Sequence, residues 1–191
     1  MSAVTRPPNR LLQALPSAEY AQLHPLLETV ELTKETALAD AGAPVQRVYF
    51  PHAGVVSMMV NLSDGQSVEI ATIGRDGIVG ASAALHERPP LADAIVVVPG
   101  TASVMRAEDF REAANRSAEF RTLVALYEQA LMAQTQQSVA CNVSHPVEAR
   151  LSRWLLRARD LCGSEALPLT QEMLAQMIGV QIGRASCRER V

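Results

Sequence analysis

The chain has 191 residues, 48% of them apolar and 19% charged, with a net charge of −3; this is the length of one large domain or two small ones, with the composition of an ordinary soluble globular protein. No apolar run approaches the ~18 residues of a membrane span, and the opening "MSAVTRPPNRLLQALPS" lacks the unbroken apolar core of a secretory signal, so a cytoplasmic location without membrane contact is expected. Residues 1–140 hold ten basic and fifteen acidic side chains and residues 141–191 hold seven and five, so only the C-terminal part is free of a net charge that repels nucleic acid.

Residues 9–28, "NRLLQALPSAEYAQLHPLLE", predict two short helices. Leu11, Leu12 and Leu15 make one apolar stripe, Pro16 stops it, and Ser17 is the expected N-cap of a second helix carrying Tyr20, Leu23, Leu26 and Leu27. From about residue 29 to 106 short β-like runs recur between turn signals: "VQRVYF", "GVVSMMVNL", "SVEIATI", "AIVVV" and "TASVMR". "SDG" at Ser63–Gly65 marks a hairpin turn between two of them, and "GRDG" and "PG" punctuate the rest. Several short strands at regular spacing predict a sandwich or barrel.

From about Ala107 the pattern is helical again. "AEDFREAANRS" is one short helix, and the absence of proline and glycine from Ala118 to Asn142 predicts a long one, about 40 Å from end to end. Phe120, Val124, Tyr127 and Leu131 follow the 4-3-4 spacing of a coiled-coil seam. They are assigned to a dimer seam, because the helix is long for one that only covers its own barrel. "SHPVEARLSRWLLRARDLCG" predicts a further helix, capped by Ser144, stopped by Gly163, and burying Val147, Leu151, Trp154, Leu155, Ala158 and Cys162. Arg150, Arg153 and Arg157 fall together on another face, where a solvated surface and phosphate contact both fit.

"LPLTQEMLAQMIGV" carries the most information. Thr170 is a candidate N-cap, Leu169 and Leu174 stand at hydrophobic-staple positions, and Gln171 and Glu172 lie in the first turn. Ala175 precedes Gly179 by four residues, which supplies the small residue and the chain reversal that a helix-turn-helix needs. Leu174, Ile178 and Val180 provide apolar contacts around the crossing. Taken alone, an amphipathic helix ended by glycine fits the same residues.

The order of these parts adds to the motif. Two helices, a barrel, a long helix, then "SHPVEARLSRWLLRARD" and "LPLTQEMLAQMIGV" together resemble the Crp/Fnr family of transcription regulators, the catabolite-activator type. The resemblance covers about residues 9–181 and is strongest over "FPHAGVVSMMVNLSDGQSVEIATIGRDGIVG" and from Cys141 to Gln181. It implies an α+β fold: a cyclic-nucleotide-binding-type β jelly roll with flanking helices, a long dimerisation helix and a partial helix-turn-helix domain. The corresponding boundaries are N-terminal helices over 1–28, a jelly-roll sensor domain over 29–117, a dimerisation helix over 118–142 and an incomplete winged helix-turn-helix domain over 143–181. The implied function is non-enzymatic: a homodimeric, DNA-binding transcription regulator with an unidentified small-molecule effector and with RNA polymerase as a further partner. Thr170, Gln171, Gln181, Arg150 and Arg153 are the candidate DNA-binding residues.

The effector site departs from the cyclic-AMP pattern that the resemblance implies. Members that bind cyclic AMP carry a Gly-Glu step for the ribose hydroxyl and, further on, an Arg-Ser pair for the phosphate. Here Gly74 matches the glycine but Arg75 follows it, and "LADAIVV" places Ala92 and Asp93 where Arg-Ser is expected. A phosphate would lose a bidentate cation and gain a repelling anion. Gly74, Arg75, Gly77 and Asp93 are therefore carried as an effector pocket that rejects cyclic nucleotides.

No cofactor or metal is expected. Cys141, Cys162 and Cys187 are odd in number and form no C-x-x-C pair. His24, His52, His86 and His145 are scattered, without metal-ligand spacing; His52 and His86 stay open as haem ligands.

The closing "GVQIGRASCRERV" breaks the helix-turn-helix register. A second helix starting near residue 181 needs apolar residues at 185 and 188; Ala185 suits this and Arg188 does not. Residues 182–191, "IGRASCRERV", match the translation of a common sequencing-library adapter. A C-terminally truncated chain with a non-native tail over 182–191, lacking its recognition helix, is expected. Two other function classes compete. A metal-binding cupin would cluster histidines and a carboxylate on its strands, where this barrel offers only His52 and His86. A small-molecule-binding dimerisation module without DNA binding gains weight if the tail is native, since the chain would still fold and dimerise.

Overall fold

The computed structural model describes residues 6–63, 65, 67–162 and 167–178. It opens with helices α1 (Arg10–Ala14) and α2 (Ser17–Leu23). Asn9 fixes the first of them. Its Oδ1 accepts from the amides of Leu11 and Leu12 at 3.1 Å each, and its Nδ2 donates to the carbonyls of Pro51 and Gly77 at 3.0 Å each. One wholly buried amide thus caps a helix and ties it to the barrel. Ser17 does not act as the expected cap. It is the first residue of α2, and its hydroxyl accepts from Arg6 instead.

The barrel is built from β1 (Glu28–Leu32), β2 (Ala37–Ala39), β3 (Arg47–Pro51), β4 (Val55–Asn61), β5 (Ser67–Ile73), β6 (Asp93–Val98) and β7 (Gly100–Arg106). A short helix, α3 (Ala81–His86), lies between β5 and β6. The strands form two antiparallel sheets, ordered β1-β7-β3 and β2-β6-β4-β5, which is the jelly-roll arrangement. The five runs singled out from the sequence are β3 to β7. The "SDG" turn joins β4 to β5, with the Gly65 amide donating to the Leu62 carbonyl at 3.0 Å. Strands β1 and β2 lacked an apolar run to reveal them; β1 exposes Glu28, Thr29 and Glu31 and fully buries Leu32 alone.

Three apolar clusters hold the fold. Leu32, Val56, Ile73, Val79, Ala94 and Val96 fill the space between the sheets. Leu12, Phe50, Phe110, Phe120, Val124 and Tyr127 join the N-terminal helices to α4 (Ala107–Arg116) and α5 (Ala118–Ser144). Val55, Met59 and Val97, on the outer face of the four-stranded sheet, meet Trp154, Ala158 and Leu161 of α6 (Val147–Cys162) and Met177 of α7 (Gln171–Met177).

Helix α5 is capped by Ser117, whose Oγ accepts from the Phe120 amide at 3.0 Å, and runs through Ser144. Ser144 is therefore its last residue and not the cap of α6. The 4-3-4 stripe of α5 does not face a partner. Phe120, Val124 and Tyr127 are buried against the chain's own barrel and α4, with Leu131 packed beside them. The correction has a simple physical basis. A 27-residue helix offers two opposite faces, and the heavier, aromatic one serves the barrel. No helix among the described residues is long and apolar enough to cross a membrane.

Candidate functional site

A cavity of about 630 Å³ opens between the barrel and α5. The barrel contributes Met58, Ile70 and Ile73, the α3 region contributes Ile78 and Val79, the loop after α3 contributes Pro89 to Leu91, and α5 closes one side with Tyr127, Leu131 and Met132. The sequence makes this space in two ways. Gly80 has φ +85, a left-handed conformation that lets the chain turn into α3. On β5, the residue paired across the strands jumps from Ala71 opposite Met58 to Glu69 opposite Met59. Ile70 is left over as a bulge, and it lines the cavity.

The charged and imidazole groups in the wall are His86, Arg88 and Glu128. His86 and Arg88 belong to exposed positions at the end of α3. Glu128 Oε1 is buried and has no hydrogen-bond partner. Tyr127 presents its ring, since its hydroxyl is committed to the Ile78 carbonyl at 2.8 Å. Burial pushes this phenol well above its ordinary range, so it stays neutral.

The residues expected to form an effector pocket do not line this cavity. Gly74, Arg75, Gly77 and Asp93 are not in the cavity wall. Gly74 packs against α6: a Cβ there would lie 2.7 Å from the Leu161 Cβ. Gly77 packs under Tyr127 in the same way. Arg75 Nε is buried without a partner, outside the wall. Asp93 accepts from the Ala41 amide at 2.7 Å and from Asn61 Nδ2 at 2.6 Å, which spends its charge on the barrel. The glycine that does border the cavity is Gly80, followed by Ala81, and the later wall residues are Leu91 and Ala92. Gly74→Val should lower stability by about 1–3 kcal/mol and change Trp154 emission, because the new side chain must displace α6. An unchanged melt and emission spectrum would contradict that packing.

A second polar site lies on the outer face of the four-stranded sheet. Glu69 is buried there among three donors: Trp154 Nε1 to Oε1 at 2.7 Å, Thr72 Oγ1 to Oε1 at 3.0 Å, and Ser57 Oγ to Oε2. Ser57 Oγ also contacts Met177 Sδ at 3.3 Å. Desolvation outweighs the donors and the nearby Arg153, raising the Glu69 pKa to about 7. One carboxyl thus connects β4 and β5 to both α6 and α7. Sequence reading missed it. The signal was an acid inside an otherwise uncharged strand, "SVEIATI".

The helix-turn-helix candidates fall on α6 and α7. Thr170 caps α7, its Oγ1 accepting from the Met173 amide at 3.2 Å, and Gln171 is exposed. Ala175 and Ile178 are buried. Gln181, Gly179, Val180, Gly163, Cys187 and the tail 182–191 lie outside the described residues. The arginine face of α6 is turned partly inward. Arg150 donates to the Ile178 carbonyl at 2.8 Å, and Arg157 pairs with Asp76 at 2.7 Å. Arg153 is exposed and reaches Ser138 at 3.5 Å. A solvated face therefore describes neither Arg150 nor Arg157, and Arg150 is occupied in holding the end of α7.

The histidines stay apart. His24 and His145 are exposed, and His52 is half-buried, its Nε2 2.8 Å from Ser103 Oγ. Burial lowers the His52 pKa. Among the described residues no three His, Cys, Asp or Glu side chains converge on a point that could hold a metal.

Residues 29–117 match the family model of the cyclic nucleotide-binding domain. A comparison with curated protein sequences finds no match. Among solved structures, the chain is similar to the c-di-GMP-responsive global regulator CLP of Xanthomonas campestris, at 12% identity and TM-score 0.71, covering 90% of this chain and 89% of that one. It is similar to FixK2 of Bradyrhizobium japonicum, at 14% identity and TM-score 0.70, covering 84% and 81%. It is also similar to a CRP-family transcriptional regulator of Thermus thermophilus, at 17% identity and TM-score 0.67, covering 83% and 80%.

Proposed function

We propose that this chain, whose residues 29–117 form a cyclic nucleotide-binding-type domain within the fold of the Crp/Fnr transcription regulators, is a homodimeric DNA-binding regulator that senses a small molecule other than a cyclic nucleotide. One observation carries the reading. Helix α5 walls the barrel cavity with Tyr127, Glu128 and Leu131, and the chain turns from its end into α6, which folds back along it with Arg153 at Ser138 and leads to α7; α6 and α7 are the candidate DNA-facing helices. A ligand in the cavity touches the element that leads to them. Among the described residues no active-site constellation competes with this role in the cavity.

DNA contact is assigned to Thr170, Gln171 and Gln181 at and beyond α7, with the exposed Arg153 as a phosphate contact. Arg150 is better placed to support α7. The region from α6 onward serves as the DNA-facing domain, and RNA polymerase is the expected partner of a regulator bound at a promoter. DNA fragments recovered with the protein expressed from its own chromosomal gene should share a two-fold symmetric sequence, with half-sites about one helical turn apart. Recovery of fragments without a common sequence would overturn the reading.

Ala81 follows Gly80, so no carboxylate meets a ribose hydroxyl, and Leu91 and Ala92 offer no cation to a phosphate. The carboxylate that does border the cavity, Glu128, would repel a cyclic phosphate. Calorimetry with cyclic AMP and cyclic GMP should therefore show no specific heat of binding. Micromolar binding of either would refute this account of the pocket.

A further inference from the structure

We propose that the cavity under α5 takes a neutral, mostly apolar molecule that donates one hydrogen bond to Glu128. This rests on the reading of that cavity as the effector site and supplies its ligand class.

Three observations lead there. The first is size. A cavity of about 630 Å³ is within the range of small-molecule sites and holds on the order of 20 non-hydrogen atoms at interior packing density. The second is the wall. Met58, Ile70, Ile78, Val79 and Leu131 surround the space, so a polar or charged body would lose its hydration without compensation. The third is a buried polar atom of a wall residue that has no partner. Glu128 Oε1 is buried and unpartnered, and none of the ion pairs among the described residues involves Glu128. An acceptor left in that condition is costly, and a small rotation of the half-buried side chain would present the carboxylate to a ligand N–H or O–H in the cavity. An anion is disfavoured at the same point by like charge. Arg88, the other charged wall residue, sits on an exposed loop where water already solvates it.

The position of Glu128 links the ligand to α5. A donor on the ligand engages the helix directly, while its apolar body engages the sheet and the loop after α3. Binding therefore fixes α5 against the barrel. Met132 lines the cavity and is also 60% exposed, so an occupied cavity covers apolar surface of this helix that is otherwise open to water.

A matched set of fluorescent probes tests the proposal on the whole chain. N-phenyl-1-naphthylamine is neutral and apolar with a single N–H. Its N-methyl derivative lacks the donor, and 8-anilino-1-naphthalenesulfonate adds an anion to the same skeleton. The first should bind with micromolar affinity, and the other two about tenfold or more weaker. In Glu128→Leu the advantage of the N–H over the N-methyl compound should disappear, and in Glu128→Gln the sulfonate should gain on the neutral probe. Thermal melts of both variants establish that they fold. Equal affinities for the three probes, or an N–H advantage that survives in Glu128→Leu, would overturn the proposal. The regulator reading is separated by its own readout. If the probes follow the expected order but leave recovery of symmetric DNA sites untouched, the ligand class stands and the link to DNA fails. If symmetric sites are recovered but no neutral probe binds, the ligand class fails alone.

Discussion

Stability should fall as the pH rises from about 5 to 8, and Glu69→Gln should flatten that dependence. The buried Glu69 carboxyl has its pKa raised to about 7 in the folded chain, against 4.5 as an ordinary carboxylate. A raised pKa means that the folded state holds the proton more tightly than the unfolded state does. The contribution is fully present below about 4.5 and is lost as the pH climbs through about 7. The full shift corresponds to about 3 kcal/mol as an upper bound. The geometry accommodates both protonation states. When protonated, Oε2 can donate to Ser57, whose hydroxyl hydrogen then turns toward Met177 Sδ, while Oε1 keeps its bonds from Trp154 and Thr72. When ionised, the carboxylate relies on those three donors and on Arg153 nearby. Trp154 is the single tryptophan of the chain, so its emission reports this site without labelling. The emission should titrate with a midpoint near neutral pH in the wild-type chain and stay flat in Glu69→Gln. A flat wild-type profile, or one that survives the substitution, would show that the carboxyl is not buried in this way.

Glu69 also shows why some of the molecule was legible in the sequence and some was not. The strand runs from β3 to β7, the hairpin at Ser63–Gly65 and the long α5 were readable, because each depends on local periodicity and turn chemistry. The site on the outer sheet face was not. Strict alternation puts Glu69 and Thr72 on opposite faces. The bulge at Ile70 shifts the parity and brings both to the face under α6. A bulge depends on the pairing partner as well as the strand's own residues. The roles of Gly74 and Gly80 depend on distant contacts in the same way. Gly74 and Gly80 are equivalent as letters, and they separate only when φ +85 at Gly80 and the contact of Gly74 with Leu161 are seen. The arginines of α6 share one helical face, as expected. What that face meets is set by Asp76, Ser138 and the end of α7, all distant in sequence.

The α5 seam leads to the last and largest expected effect. Leu126→Glu with Val139→Glu should convert a dimer into a folded monomer, whereas Tyr127→Glu should unfold the chain. With the aromatic stripe committed to the barrel, α5 is left with Leu126, Met132, Val139 and Val143 at 58, 60, 57 and 85% exposure. Leu126, Gln129, Ala133, Gln136, Ala140 and Val143 follow 3-4-3-4-3 spacing, the heptad geometry of two packed helices. All six are exposed. Ala133 and Ala140 permit close approach, and Met132 and Val139 flank the series. Gln129 and Gln136 are its polar members; their amides can pair across the seam and fix its register. An exposed, mostly apolar surface of this regularity marks an interaction site, and a second copy of the same stripe matches it by symmetry. Each large side chain fully covered contributes about 1.5–3 kcal/mol. Two glutamates on each of two helices would therefore place two charges in the seam and two at its flank and weaken association by about 100-fold or more. Tyr127 is different, because it is buried, bonded to Ile78 and packed over Gly77. A carboxylate in its place sits inside the core, at a cost of several kcal/mol, so the melting temperature should drop whether or not a partner is present. Sedimentation at tens of micromolar separates the two outcomes. If Leu126→Glu with Val139→Glu still sediments as a dimer while Tyr127→Glu yields a well-folded monomer, the association surface is the aromatic stripe after all, and α5 must leave the barrel to form it.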